Sequence, residues 1–140
     1  MVKNRDITFL LVEEDEVDIL NVKRAFKKNS IDSTLEVAKN GLEALEMLRS
    51  GQITRPSCVL LDINMPKMNG LEFLEELRND KEFHNLVVFV LTTSNDDRDK
   101  IDAYNYNVAG YIIKPVSFEK FIEAIKSLSD YLDMIELLRG

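Results

Sequence analysis

Several residue types are scarce in this sequence, which has no tryptophan, one cysteine and one histidine. The lone cysteine, Cys58, excludes an internal disulfide and suits a reducing compartment, so we expect the chain to be cytoplasmic. Cys58 adjoins an apolar run and has no basic neighbour, which predicts a small buried residue rather than a reactive thiol. The single histidine, His84, has no second histidine or cysteine nearby, so we interpret it as a solvated loop residue rather than a metal ligand.

Positive charge is also scarce, because 18 lysine and arginine residues are outnumbered by 25 aspartate and glutamate residues, for a formal net charge of −7. Nucleic acids and anionic membrane surfaces both require a basic face, so neither is an expected partner. No apolar run approaches the ~20 residues that span a bilayer, and residues 1–6 are too short and polar for a signal peptide. The 140 residues, 45% of them apolar, are enough for a single domain with its own core.

Five short apolar runs alternate with amphipathic stretches along the chain. The runs occupy residues 7–12, 35–38, 58–61, 86–91 and 111–113. Four of them are rich in β-branched or bulky apolar residues and show little alternation, which is typical of strands buried on both faces of a parallel sheet. The stretches between them repeat apolar residues at helical spacing: Ile19, Val22 and Phe26; Leu42, Leu45 and Leu48; Leu71, Leu74 and Leu77.

The boundaries of the helical stretches carry ordinary start signals. Asn69 and Gly70 precede the third helix, and Ser117 is placed to cap the last one, with Glu119 in its first turn. The fourth helix, around residues 97–106, has the thinnest apolar face. A strand followed by a helix, five times over, predicts an α/β fold with a parallel sheet covered by helices on both faces.

The residues that follow the predicted strands are polar. They are Glu13, Glu14 and Asp15 after the first strand, Asp62 and Asn64 at the third, Thr92 at the fourth and Lys114 after the fifth. In parallel α/β sheets, ligands bind beyond the carboxyl ends of the strands. Clustered carboxylates repel each other unless a hard cation such as Mg²⁺ neutralises them, and an ammonium and a hydroxyl suit a phosphoryl group. Each residue alone could be an ordinary loop or cap residue, but together they predict a phosphoryl-transfer site.

Four segments give the sequence its resemblance to the receiver domains of two-component response regulators. They are residues 11–15 (LVEED), 61–70 (LDINMPKMNG), 91–93 (LTT) and 110–115 (GYIIKP). The resemblance covers residues 7–128, the expected core of one domain spanning 1–140. It implies a flavodoxin-like, doubly wound five-stranded parallel sheet, (βα)5. It also implies a phosphorelay signalling role, in which the chain catalyses only its own phosphorylation and dephosphorylation.

The resemblance assigns roles to the acidic residues. It implies that Asp62 accepts a phosphoryl group from a sensor histidine kinase. The cation, Mg²⁺ or Mn²⁺, would be held by Asp62, Glu13, Glu14 and the main-chain carbonyl of Asn64. Glu14 departs from the pattern, because the family usually has an aspartate as the direct metal ligand at this position, and glutamate is one methylene longer. Asp15 does not restore the pattern, because a shift of one residue would turn the preceding strand over.

The resemblance also assigns roles to three residues of the later strands. Lys114 is implied to contact the phosphoryl group, and the family commonly has a cis peptide bond between it and Pro115. Thr92 and Tyr111 resemble the switch pair, in which the hydroxyl moves toward the phosphoryl oxygens while the aromatic ring turns inward.

The C-terminal helix is predicted to be long. Its apolar residues follow a 3-4-3-4-3 spacing: Phe118, Phe121, Ile125, Leu128, Leu132 and Ile135. A helix over residues 118–138 would be about 31 Å long, whereas a strand spans only ~17–20 Å. Residues 129–140 should therefore extend past the sheet, so that Leu132, Ile135 and Leu138 require another surface. A frayed tail or a turn at 129–130 is one interpretation. We favour a homodimer through the last helix and residues 100–106, as in stand-alone receivers that partner bacterial phytochromes.

Three alternative functions differ in what they require. A phosphorylation-independent adaptor would keep the receiver fold without binding metal, and Glu14 is the residue that favours it. A phosphatase of the haloacid-dehalogenase type needs a second aspartate two residues after the nucleophile, where this sequence has Asn64. A flavin binder needs a hydroxyl-rich phosphate loop where this sequence has an acidic one. No output domain is recognisable after the last helix, so we expect the chain to act on an unidentified protein partner.

Overall fold

A five-stranded parallel sheet organises the chain. The computed structural model describes residues 8–53, 56, 58–63, 70–92, 105–113 and 117–134. Its elements, in chain order, are β1 (Thr8–Val12), α1 (Glu16–Lys28), β2 (Thr34–Ala38), α2 (Gly41–Arg49), β3 (Cys58–Asp62), α3 (Gly70–Arg78), β4 (Val87–Thr92), β5 (Gly110–Ile113) and α4 (Phe118–Met134). The strand order is β2-β1-β3-β4-β5, with every neighbouring pair parallel. The α/β fold class and all five strands are therefore predicted correctly.

The sheet separates two apolar layers because successive side chains of a strand point to opposite faces. Leu10 and Val12 of β1 pack with α2 and α3 on one face. Phe9 and Leu11 pack on the other face with α1 and α4, where the rings of Phe9 and Phe26 meet edge to face at 4.9 Å. Burial on both faces explains why the strands read as continuous apolar runs.

The cap predicted at Ser117 and the apolar face predicted for α1 are both present, whereas Asn69 lies outside the described residues. The Ser117 hydroxyl accepts a hydrogen bond from the amide of Lys120 at 3.3 Å, which confirms it as a cap. Ile19, Val22 and Phe26 are buried on one face of α1, as expected. No described helix is both long and apolar enough to cross a lipid bilayer.

Two leucines do not lie where their spacing placed them. Leu42 is 53% exposed, because the buried stripe of α2 runs through Gly41, Ala44, Leu45 and Leu48 and leaves position 42 to one side. Leu132 is 2% exposed and packs in the layer between the sheet and α1, so the prediction that it needs another surface is wrong. Helix α4 therefore packs against the domain as far as Leu132, which is further than the comparison of helix length with strand length predicted.

Some sequence predictions lie outside the described residues. These include Ile135, Leu138 and the Lys114–Pro115 peptide bond. The predicted fourth helix falls almost entirely there too, and its last two residues belong to a turn at 105–107.

Arg78, the last residue of α3, joins three segments of the chain. Its Nη1 donates to the carbonyls of His84 and Leu86, each at 2.8 Å, and so holds the connection into β4. Its Nε donates to the carbonyl of Tyr106 at 2.6 Å, and its Nη2 donates to that of Asn107 at 3.1 Å. Burial lowers the pKa of this guanidinium from its ordinary value. Arg78 thus fixes the approach to β5 against the end of α3.

Gly70, the first residue of α3, lies against the end of β3. Its amide donates to the carbonyl of Ile63 at 3.1 Å. A Cβ at this position would lie 2.4 Å from the Ile63 Cα and 2.9 Å from the Asp62 carbonyl oxygen. Main-chain atoms cannot give way as a flexible side chain can, so only glycine allows this approach.

We predict that Arg78→Met lowers the free energy of unfolding by about 2 kcal/mol, because four carbonyls lose a charged donor. The matched control is Arg49→Met, since Arg49 makes a surface ion pair with Asp80 at 3.2 Å, and such a pair contributes about 0–1 kcal/mol. Urea denaturation would measure both. Equal losses in the two variants would contradict the role given to Arg78.

We predict that Gly70→Ala destabilises the fold by about 1–3 kcal/mol through overpacking, although alanine is the better helix former by about 1 kcal/mol. Gly110→Ala is the control, because among the described residues a Cβ there meets the side-chain ring of Phe89, at 3.4 Å and 3.5 Å. Thermal unfolding would measure both changes. A neutral or stabilising Gly70→Ala would show that the end of β3 yields easily.

Candidate functional site

Two buried acidic residues lie at the ends of neighbouring strands where the strand order reverses. Strand β1 lies between β2 and β3, so the connections from it and from β3 leave the sheet on different faces. Val12 is opposite Leu61, and the same register brings Glu13 beside Asp62. Neighbouring strands are about 4.8 Å apart. Glu13 is 1% exposed and Asp62 is 7% exposed, so both acidic residues are almost completely shielded from water.

The three acidic residues after β1 have different environments. The Glu13 amide donates to the Ala38 carbonyl at 2.9 Å, and its carboxylate accepts from the Asp15 amide at 3.1 Å. Asp15 caps α1 by accepting from the amides of Val17 and Asp18 at 2.8 Å and 3.2 Å. Glu14 lies between them and is exposed.

The capping role of Asp15 went unrecognised in the sequence because the residue is part of an acidic cluster. Its signal was an aspartate directly before a stretch of helical apolar spacing. With its carboxylate bound to helix amides, Asp15 is committed to α1. Asp15 is therefore the member of the predicted acidic trio that acts as a helix cap.

The remaining predicted site residues belong to β4, to β5 and to the segments that follow β3 and β5. Asp62 is paired with Leu91 in the sheet, and Thr92 with Ile113, so the ends of β3, β4 and β5 form one edge. The side chain of Thr92 is outside the described part of the molecule, as are Asn64 and Lys114. Tyr111 is half-buried and packs against the apolar layer under α2 and α3.

The donor chemistry of this edge fits a hard divalent cation. Glu13, Glu14 and Asp62 offer carboxylate oxygens, and two of the three are buried, where like charges are costly without a cation. Within the described residues, no group of three acidic, histidine or cysteine side chains lies ready to hold a metal ion. Mg²⁺ does not require such a group, because it usually binds one or two carboxylates together with water and phosphate oxygens.

The remaining reactive side chains lie elsewhere, as predicted. Cys58 is fully buried at the start of β3, at the opposite end of that strand from Asp62, and burial raises the pKa of its thiol. His84 is exposed in a turn before β4, where its carbonyl accepts from Arg78. Neither residue contributes to the carboxylate edge.

Comparison with known proteins gives one consistent result. A model of the response regulator receiver domain matches residues 9–126. The probable methanogenesis regulatory protein FilR2 of Methanothrix harundinacea is 34% identical over 87% of this chain and 81% of its own length. Response regulator Rcp1 of Synechocystis is 31% identical over 87% of this chain and 86% of its own.

Two solved structures extend the comparison to the fold. The manganese-bound form of Rcp1 superposes with a TM-score of 0.85 at 30% identity, covering 94% of this chain and 99% of that one. The phosphorylated cyanobacterial phytochrome response regulator RcpA superposes with a TM-score of 0.87 at 28% identity, covering 94% and 97%. The chain therefore belongs to the response regulator receiver domain family, the signalling module of two-component phosphorelays.

Proposed function

We propose that this chain is a phosphorylation switch in which Asp62 accepts a phosphoryl group from the phosphohistidine of a sensor histidine kinase in the cytoplasm. The observation that carries the proposal is the burial of Asp62 beside Glu13 at the point where the strand order reverses. Ligands of doubly wound sheets bind at this point.

In the proposed reaction, a carboxylate oxygen of Asp62 attacks phosphorus as the bond to the histidine nitrogen breaks. The electron pair of that bond leaves with the imidazole, and the product on this chain is an acyl phosphate. Glu13 and Glu14, with Asp62 and the main-chain carbonyl of Asn64, would hold Mg²⁺ or Mn²⁺. When bound, this cation supplies positive charge next to the phosphoryl oxygens.

The remaining roles concern the phosphorylated state. Lys114 would place its ammonium against the phosphoryl group as a point charge. The Thr92 hydroxyl and the Tyr111 ring would respond to it together, shifting a two-state equilibrium that a partner protein also reads. The half-buried position of Tyr111 against the α2–α3 layer leaves its ring room to become more or less buried.

The solved relatives support the chemistry by analogy. RcpA has been crystallised phosphorylated, and Rcp1 with Mn²⁺. Glu14 keeps the metal-independent adaptor as the competing hypothesis. A haloacid-dehalogenase-type phosphatase is disfavoured by the asparagine two residues after Asp62, and a flavin binder by the buried Glu13 after β1.

We also propose homodimerisation through the last helix. Beyond the packed face of α4, Tyr131 is 47% exposed and Met134 is 84% exposed, and they lie three residues apart on one side. The Tyr131 ring meets Phe89 of β4 edge to face at 6.1 Å. In the sheet, β4 is the neighbour of β5, which is an edge strand.

We predict that incubation with acetyl phosphate and Mg²⁺ adds the mass of one phosphoryl group to the intact protein. Asp62→Asn and chelation with EDTA should each abolish the addition, because one removes the acceptor and the other the cation. Asp32→Asn, which changes an exposed aspartate outside the site, should be phosphorylated normally. No addition to a folded protein, together with absent metal binding, would favour the adaptor.

For the dimer, we predict that light scattering at high concentration gives twice the 16.1 kDa chain mass. Tyr131→Lys should shift the protein to monomer, because it places a charge in the proposed contact. Leu20→Lys is the matched control, since Leu20 is also 47% exposed but lies on α1. A wild-type monomer, or equal effects of the two variants, would contradict this contact.

A further inference from the structure

The main chain around Glu14 is held on both sides. Glu13 before it is fixed by its amide bond to Ala38 and by its carboxylate, which accepts from the Asp15 amide. Asp15 after it is fixed as the cap of α1, and its carbonyl accepts from Ile19 at 2.9 Å. These bonds on both sides restrain the Cα of Glu14 near the sheet edge.

The main chain of Asp62, at the end of the neighbouring strand, is held equally firmly. Asp62 is still part of β3, where it is paired with Leu91 of β4. Beyond it, Ile63 is in contact with Gly70, at a separation that leaves no space for even one added carbon. The span between residue 14 and Asp62 is therefore set by two rigid segments.

The side chain of a glutamate at the edge of this span is longer than that of an aspartate by one methylene, about 1.5 Å. Because neither segment can retreat, the side chain has to absorb this length in its own torsions or in its contact with the cation. Glu14 is exposed, so its carboxylate is free to turn. A longer and freer carboxylate can present one oxygen or both.

Cations differ in how they accept such a ligand. Mg²⁺ demands near-ideal octahedral geometry at about 2.0–2.1 Å, whereas Ca²⁺ takes about 6–8 oxygens at 2.3–2.6 Å, including both oxygens of one carboxylate. We propose that Glu14 sets the metal selectivity of the site and reduces its preference for Mg²⁺ over larger cations such as Ca²⁺. This inference rests on the proposed function, since it concerns the cation beside Asp62.

The test compares Glu14→Asp with the wild-type chain in calorimetric titrations with MgCl₂ and with CaCl₂, without a phosphoryl donor. We expect Glu14→Asp to raise the ratio of the Ca²⁺ to the Mg²⁺ dissociation constant about tenfold, the usual scale of effects near a metal site. Glu46→Asp makes the same chemical change at an exposed position on α2 and should leave the ratio unchanged. Asp62→Asn should weaken binding of both ions, which locates them at the site.

A change in the ratio of less than about threefold, or a wild-type chain that binds neither ion, would overturn the role of Glu14. Thermal unfolding of each metal-free variant would show that the fold is retained. Failure of the proposed function would give a different result in the phosphorylation and binding measurements. In that case acetyl phosphate would add nothing to Asp62 although the metal binds, or binding would survive Asp62→Asn.

Discussion

Two carboxylates that water scarcely reaches, those of Glu13 and Asp62, lie side by side at the edge of the sheet, and much of the surrounding structure serves to keep them there. Burying one ionised carboxylate is costly, and a second one nearby adds repulsion. The apolar strands beneath them cannot relax to relieve this, because they are packed on both faces. A cation at this edge would lower that repulsion, in keeping with the proposed metal site.

The acidic run after β1 shows how one short segment is divided among different tasks. Glu13 points into the protein, Glu14 faces solvent and Asp15 caps a helix. The acidic character of these residues does not itself reveal this division, because their side chains differ only in length. The division depends on where the strand ends and the helix begins.

The strands could be predicted from the sequence alone, because residues buried on both faces leave unbroken apolar runs. The parallel register also brings the end of β1, before Glu13, beside the end of β3 at Asp62, as the alternation of strands and helices predicts. Prediction from the sequence failed at Leu42 and Leu132, where helical spacing gave the right period but not the direction or the end of the buried stripe. The close approach of Gly70 to Ile63 was equally hidden, because a glycine before a helix is also an ordinary start signal.

The role of Arg78 was also not predictable from the sequence. Its partners have a consequence for how this protein can change over evolution. It bonds to main-chain carbonyls of His84, Leu86, Tyr106 and Asn107, which every residue type possesses. The side chains at these four positions can therefore be exchanged without removing the acceptors. The sequence of the segments that carry these carbonyls can thus change, while a single arginine preserves their position.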